Sequence, residues 1–410
     1  MAVSRKRASS PWGILGAAVT AQTAVSLTEQ GVPTLTGFIK EDLALSAAVA
    51  GLLTASMSVG KMLGGYPAGS AVDRLGERRV LSVGALGTGV LVAAAAGAPI
   101  VLLVVLLVVA GVFAATPTPA GSKIVLVAFP ISRRGLAMGL RQSAIPLGGL
   151  LAALTLPWAA NEWGWRASLA LAGAVTVAGA IVAFAAAGVE TRDERRVQAA
   201  AARKEPRGLL SFARDRDIAL LTLWGMLLVG GQFVIIAFLP VAVHEGGRIS
   251  LPAAVLLVAI AQAGGIAGRI AWGLLADRLR RRRPVMLAIT VTGIASAALL
   301  AVLPERSSFA EFSVAAFLAG VSVIGWQGVW MTSISEFAGA GLAGSVTGFG
   351  LMFVWGASAW SPPLYGLVAD VTGSYRVMWL ALAAALIVSL IPVLLGREPD
   401  QVDMSIMSDI

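Results

Sequence analysis

The stretch Gly69–Arg79 reads GSAVDRLGERR, and it returns 204 residues later as GLLADRLRRRR at Gly273–Arg283. Each copy follows a long apolar run and precedes another, so each is predicted to be a short charged loop between two membrane helices. A glycine followed four residues later by Asp-Arg says little when it occurs once. Its recurrence in register indicates that the chain consists of two similar halves.

The composition also favours a membrane protein. Of the 410 residues, 57% are hydrophobic and 13% are charged, which is too little charge to cover the surface of a soluble protein of this length. The net charge of +9 lies in short loops between apolar segments, which favours membrane orientation over nucleic-acid binding. With no cysteine, one histidine (His244) and no catalytic constellation, we expect no metal, no cofactor and no enzyme activity.

The apolar runs predict an all-α membrane protein with twelve transmembrane helices in two pseudo-symmetric six-helix bundles. A polar stretch over 189–216 is predicted to be a linker between a bundle at 1–188 and a second bundle with a short tail at 217–410. The predicted spans are 12–37, 46–70, 80–98, 101–129, 135–158, 167–188, 217–243, 250–274, 284–303, 310–336, 343–368 and 377–395.

The distribution of basic residues predicts the orientation of these helices. Of the 31 Lys and Arg residues, 22 lie on the side of the two charged loops and five on the opposite side. Because basic loops stay on the cytoplasmic side, we expect a multi-pass protein of the cytoplasmic membrane with both termini in the cytoplasm.

The two charged loops resemble the signature loops of the major facilitator superfamily, whose members are secondary transporters with twelve helices. We call Gly69–Arg79 and Gly273–Arg283 the first and second signature loops. The resemblance implies that their aspartates and the adjacent arginines latch the two halves together in the outward-facing state. The gating residues implied in this way are Gly69, Asp73, Arg74, Gly273, Asp277 and Arg278.

Further segments resemble the branch of monocarboxylate, oxalate/formate, cyanate and nitrate porters, namely RRGLAMGLRQSAIPLGG, GWR, WQGVW and SPPLYGLVADVTGSYR. Monocarboxylate porters carry an arginine in the eighth helix where Arg269 stands, which implies anion binding here. Their acid four residues earlier is replaced by Gly265, and the lysine of their first helix is not matched, Glu29 lying nearby instead. The resemblance therefore does not supply a proton-coupling residue.

Charged residues inside predicted spans indicate a functional cavity, because charge at the bilayer centre is costly. The four cations are Lys61, Lys123, Arg141 and Arg269, whereas Glu29 is the only acid deep in a span. A cavity with this balance would be positive and would favour an anionic substrate. All four cations are therefore candidate substrate-binding residues, and Glu29 is the candidate proton carrier.

Each of these assignments has a structural alternative. Arg269 could pair with a helix-end carbonyl or with Glu336 instead of a substrate, and Glu29 could form a permanent ion pair with Lys61. Lys123 and Arg141 are expected to be near neighbours, and both could reach the cytoplasmic surface. Uncharged candidates for the cavity are Gln22, Gln30, Gln232, Trp326, Gln327 and Trp330.

The sequence therefore predicts a secondary transporter that moves a small, monocarboxylate-like organic anion by alternating access, with a proton as the coupling ion. A proton-driven effluxer of drug-like molecules is the alternative, which the tryptophans of the tenth helix favour. A membrane sensor would need a signalling domain, and the chain shows none. The expected partners are the anionic substrate, the proton and the lipid bilayer, with no nucleic acid, and we expect a monomer.

Overall fold

The computed structural model describes residues 10–45, 47–186, 209–246, 249–304, 307–338 and 341–398. The first half contains six helices, α1 to α6, of which α4 is in two pieces and α5 and α6 form one segment that bends sharply at Gly164. They are α1 Pro11–Asp42, α2 Ala47–Leu75, α3 Glu77–Ala95, α4 Ile100–Ala114 with Pro117–Ala128, and α5–α6 Ile131–Ala186.

The second half repeats this plan with helices α7 to α12, after a short helix at Leu209–Arg214. They are α7 Arg216–Glu245, α8 Leu251–Leu279, α9 Arg283–Val302, α10 Phe309–Ala319 with Gln327–Ala338, α11 Ala343–Thr372, and α12 Tyr375–Val388 with Leu390–Leu395. A π-helical turn, Gly320–Ile324, joins the two pieces of α10. The twelve predicted helices are confirmed within the described ranges, whereas most of the predicted linker (187–208) and the chain ends (1–9 and 399–410) lie outside them. The prediction that the two signature stretches are loops is wrong for most of their length, because residues 69–75 are the end of α2 and residues 273–279 the end of α8. Only Gly76 and residues 280–282 connect these helices to α3 and α9.

Eight segments of the described chain are long and apolar enough to cross a membrane. Helices α1 and α11 are rich in glycine, serine and threonine, and α1 and α2 each carry an internal charge. By contrast, α3, α6, α9 and α12 expose rows of large apolar side chains, such as Val90, Phe184, Val291 and Ile387. A lipid-facing outer surface and a more polar interior account for this division.

Two glycines form the corresponding sharp bends in the two halves. Gly164 has φ +81° between α5 and α6, and Gly373 has φ +60° between α11 and α12. Residues with a Cβ rarely adopt such angles, so glycine is needed where one helix must end and the next begin almost at once.

The two halves have separate hydrophobic cores and meet along two helix pairs. One core is formed by residues from Ile14 to Ala183, the other mainly by residues from Phe212 to Val393. Across the interface α2 packs on α11, and α5 packs on α8. A Cβ on Gly69 would lie 2.1 Å from the carbonyl oxygen of Gly344, and a Cβ on Gly135 would lie 2.3 Å from that of Gly273. The halves are therefore in backbone contact on the side of the signature loops.

Candidate functional site

Asp73 of the first signature loop binds the start of α11 in the other half. Its carboxylate accepts hydrogen bonds from the backbone N–H groups of Gly344 (3.0 Å) and Ser345 (2.7 Å). Both donors lie in the first turn of a helix, where N–H groups have no partner within the helix and attract negative charge. Lys123 of α4 pairs with the same carboxylate, its Nζ lying 3.2 Å from Oδ1. The contact thus joins the two halves and neutralises a buried lysine.

Asp277 of the second signature loop makes the reciprocal contact on α5. It accepts hydrogen bonds from the backbone N–H groups of Gly135 (2.8 Å) and Leu136 (2.9 Å). Arg282, from the same loop, lies 3.3 Å from Oδ1 of Asp277. The two aspartates therefore bridge the halves in opposite directions, as the internal repeat requires. We call these contacts the Asp73 latch and the Asp277 latch.

A buried ionic network extends the Asp277 latch across the interface. Arg282 donates to Glu336 at 3.1 Å, and Arg134 of the first half lies 3.9 Å from the same carboxylate. Burial alone would lower the pKa of Arg282, but the adjacent charges of Glu336 and Asp277 and the hydrogen bonds to them raise it above its usual value. Glu336 therefore joins arginines from both halves and is not a partner of Arg269.

The arginines next to the latch aspartates do not share their burial. Arg74 and Arg278 are exposed at the ends of α2 and α8. Gly69 and Gly273, in contrast, lie in the backbone contacts between halves that accompany the latches. Among the predicted gating residues, the structure thus brings the aspartates and glycines to the interface and leaves these two arginines at the surface.

Arg269 lies buried in α8, about 12 Å along the helix from Asp277, and is 1% exposed. Its Nε donates to the carbonyl oxygen of Ile324 (3.1 Å), at the end of the π-helical turn of α10. Another guanidinium nitrogen donates to the side-chain oxygen of Gln327 (2.8 Å), and the third donates to the backbone oxygen of Gln142 in α5. Arg269 therefore spans the interface between the halves through neutral acceptors alone.

Arg141 lies in α5 next to this cluster and is fully buried. It donates to the side-chain oxygen of Gln22 (2.8 Å) and the carbonyl oxygen of Pro117 (2.7 Å). It also donates to the side-chain oxygen of Gln142. Its Nε is buried without an acceptor. Because Gln142 contacts both Arg141 and Arg269, the two guanidinium groups are close together.

These two arginines differ from the other buried cations that the structure describes. Lys61, Lys123, Arg134 and Arg282 each have a carboxylate oxygen within 4.0 Å. Arg141 and Arg269 have none among the described residues. An uncompensated buried charge is strongly unfavourable, which makes these two arginines the candidate anion-binding residues of the described chain.

Glu29 and Lys61 form the second charged cluster of the interior. Lys61 Nζ lies 2.6 Å from Oε1 of Glu29, and it also lies 4.4 Å from the ring centroid of Trp355 in α11. The ion pair joins α1 to α2, and the cation–π contact joins the first half to the second. The structure thus contains the Glu29–Lys61 pair, which is one of the two alternatives for these residues. It pairs Lys123 with Asp73.

Some of the uncharged candidates contact the arginine pair and the others do not. Gln22 and Gln327 contact the arginine pair, whereas Gln30 donates to the carbonyl oxygen of Ile145 (2.8 Å). Gln232 is buried with its side-chain oxygen unpaired. Trp326 and Trp330 form edge contacts with each other and, through Trp326, with Trp224 of α7. Both are at most 1% exposed, so they pack α10 against α7 and present no open aromatic face.

Gln142 is the site residue that the sequence interpretation missed. A proline four residues later, Pro146, lacks the N–H that would normally bond to the Gln142 carbonyl. That free carbonyl accepts the hydrogen bond from Arg269. The proline was a usable signal, because within a helix it marks the residue whose backbone oxygen is available to a partner.

The fold and the latched halves define a membrane transporter of the two-bundle type. The family model of the Major Facilitator Superfamily matches residues 18–362, and the chain belongs to this superfamily of secondary transporters. An uncharacterized MFS-type transporter of Mycobacterium tuberculosis is 30% identical over 80% of this chain and 73% of that protein. Monocarboxylate transporter 13 of Rattus norvegicus is 27% identical over 81% of this chain and 76% of its own length.

Solved structures confirm the fold. The structure of the proton:xylose symporter XylE superposes with a TM-score of 0.78 at 14% sequence identity. The superposition covers 96% of this chain and 97% of the XylE chain. The family model confirms, at the level of the superfamily, the resemblance inferred from the signature loops.

Proposed function

We propose that this transporter moves a small organic carboxylate across the cytoplasmic membrane by alternating access, with the arginine pair as its anion-binding site. The observation that carries this proposal is that Arg141 and Arg269 are buried, come from opposite halves and have no carboxylate partner in the described chain. A substrate carboxylate can accept two parallel hydrogen bonds from a guanidinium. The similarity to a monocarboxylate transporter supports this substrate class.

The position of the arginine pair supports alternating access. The halves touch on the side of the signature loops, and the excess of basic residues on that side favours its being cytoplasmic. An anion that bridges Arg141 and Arg269 would hold the halves together from the inside. Its release would leave two like charges at the interface and favour separation. The burial of Trp326 and Trp330 argues against the alternative of a drug effluxer with an aromatic cavity.

Uptake of a panel of labelled carboxylates into proteoliposomes tests the proposal. We expect accumulation of at least one of them, and we expect Arg269→Lys to lower its uptake more than tenfold, because lysine keeps the charge but loses the planar fork. Arg376→Lys, at an exposed arginine, is the matched control and should transport normally. Near-normal uptake by Arg269→Lys at equal protein content would refute the assignment.

We also propose that a proton moves with the carboxylate and that Glu29 carries it. Protonation of Glu29 would release Lys61 from its 2.6 Å ion pair, so the two cannot be treated as independent. If Glu29 is the carrier, Glu29→Gln should abolish accumulation driven by a pH gradient while exchange of preloaded substrate persists. If the pair is only structural, the double variant Glu29→Gln with Lys61→Gln should recover accumulation, and that recovery would reject the carrier role.

A further inference from the structure

Every buried cation that the structure describes lies against a carboxylate, except the two of the arginine pair. Glu29 neutralises Lys61 and Asp73 neutralises Lys123, while Glu336 and Asp277 lie against the buried arginines near the second signature loop. Arg141 and Arg269 remain, each with a full positive charge and no carboxylate within 4.0 Å in the described chain. The deficit at this site is therefore two negative charges.

The acceptors that now surround these arginines are all neutral oxygens. Three come from the side chains of Gln22, Gln142 and Gln327, and the others are backbone carbonyls. A neutral oxygen satisfies the hydrogen bond of a guanidinium but does little to offset its buried charge. The Arg141 Nε also lacks an acceptor. One free donor and two uncompensated charges thus occur at the same place.

The distance between the two charges limits the size of the ligand. One residue, Gln142, accepts from Arg141 with its side chain and from Arg269 with its backbone. The two guanidinium groups are thus linked through a single glutamine. Two carboxylates on a short chain could each face one of them.

We infer that the preferred ligand of this site is a short dicarboxylate in its doubly charged form, with one carboxylate on Arg141 and the other on Arg269. This inference rests on the proposed function and narrows its substrate class, because a monocarboxylate would leave one arginine uncompensated. The selectivity of the site would depend on the net charge of the ligand, with one negative charge preferred for each arginine. Removing one arginine should therefore change the preferred charge of the substrate.

Counterflow exchange in proteoliposomes at about pH 7.5, well above ordinary carboxyl pKa values, tests the inference with ligands matched in chain length. The pairs are malonate against propionate and succinate against butyrate. We expect a dicarboxylate to be exchanged at least tenfold more efficiently than its matched monocarboxylate. Equal or better exchange of the monocarboxylates would overturn the inference and leave the proposed function intact, whereas exchange of none of a broad carboxylate panel would refute the proposed function itself.

Variants of Arg141 make the test specific to charge. Arg141→Gln removes one positive charge, so the preference should move towards propionate or butyrate. Arg141→Lys keeps the charge and is the matched control, which should retain the preference for the dicarboxylate even if its rate falls. A dicarboxylate preference that persists in Arg141→Gln would contradict the inference. If Arg141→Gln fails to insert, Arg269→Gln is subject to the same criterion.

Discussion

The Asp73 latch and the Asp277 latch are related by the internal repeat, yet they differ in what supports them. Asp73 accepts from first-turn N–H groups of α11, and its only cationic partner among the described residues is Lys123. Asp277 accepts from Gly135 and Leu136, one turn further into its helix. Arg282 beside it is also held by Glu336 and, through its backbone N–H, by Glu398 near the end of α12 (2.7 Å).

This difference shows that two copies of one motif can make the same contact and still differ in how well they tolerate loss of the aspartate charge. A carboxylate that supplies the only negative charge for a buried cation cannot be removed without leaving that cation uncompensated. A carboxylate that shares its cation with a neighbour can be removed at lower cost. The Asp73 latch is therefore sensitive to removal of its carboxylate, whereas the Asp277 latch is part of an ionic network that can compensate for such a loss.

The largest effect on stability is expected at Glu336, on which the ionic network depends. Glu336→Gln would leave Arg134 and Arg282 buried without the carboxylate that joins them, and it should destabilise the protein by about 3–5 kcal/mol. Thermal unfolding of the purified protein measures this effect. Glu162→Gln, at an exposed acid, is the control and should unfold at the wild-type temperature. An unchanged unfolding temperature for Glu336→Gln would show that the network does not stabilise the second latch.

A smaller, ordered pair of effects is expected at the latches themselves. Asp73→Asn should destabilise the latched state by about 2–3 kcal/mol, because Lys123 loses its carboxylate partner. Asp277→Asn should destabilise it by about 1–2 kcal/mol, because Arg282 keeps its contact with Glu336. In this cysteine-free chain, Met352→Cys reports opening, since Met352 packs against α2 at Gly65. Labelling of that cysteine should rise in both variants, and more in Asp73→Asn. The reverse order, or labelling equal to that of the unsubstituted reporter, would contradict the comparison.

The fold could be predicted from the sequence because the length of each apolar run and each copy of the signature motif can be recognised within one contiguous stretch. It also identified Arg269, Arg141, Lys61 and Glu29 as interior charges. It could not determine which charges pair, because partners such as Asp73 and Lys123 are 50 residues apart and meet only through helix packing. Pro146 indicates in the sequence that the Gln142 carbonyl is free, but the identity of its partner, Arg269, depends on the packing of α5 against α8.

Whether one anion contacts both arginines can be measured by a double-mutant cycle. The affinity of the most efficiently exchanged carboxylate would be determined for wild type, Arg141→Lys, Arg269→Lys and the double variant. Residues that bind the same ligand group are coupled, so the two losses should deviate from additivity by about 1 kcal/mol or more. Losses that add to within about 0.5 kcal/mol would show that the arginines act independently, and would contradict an anion bound between the halves.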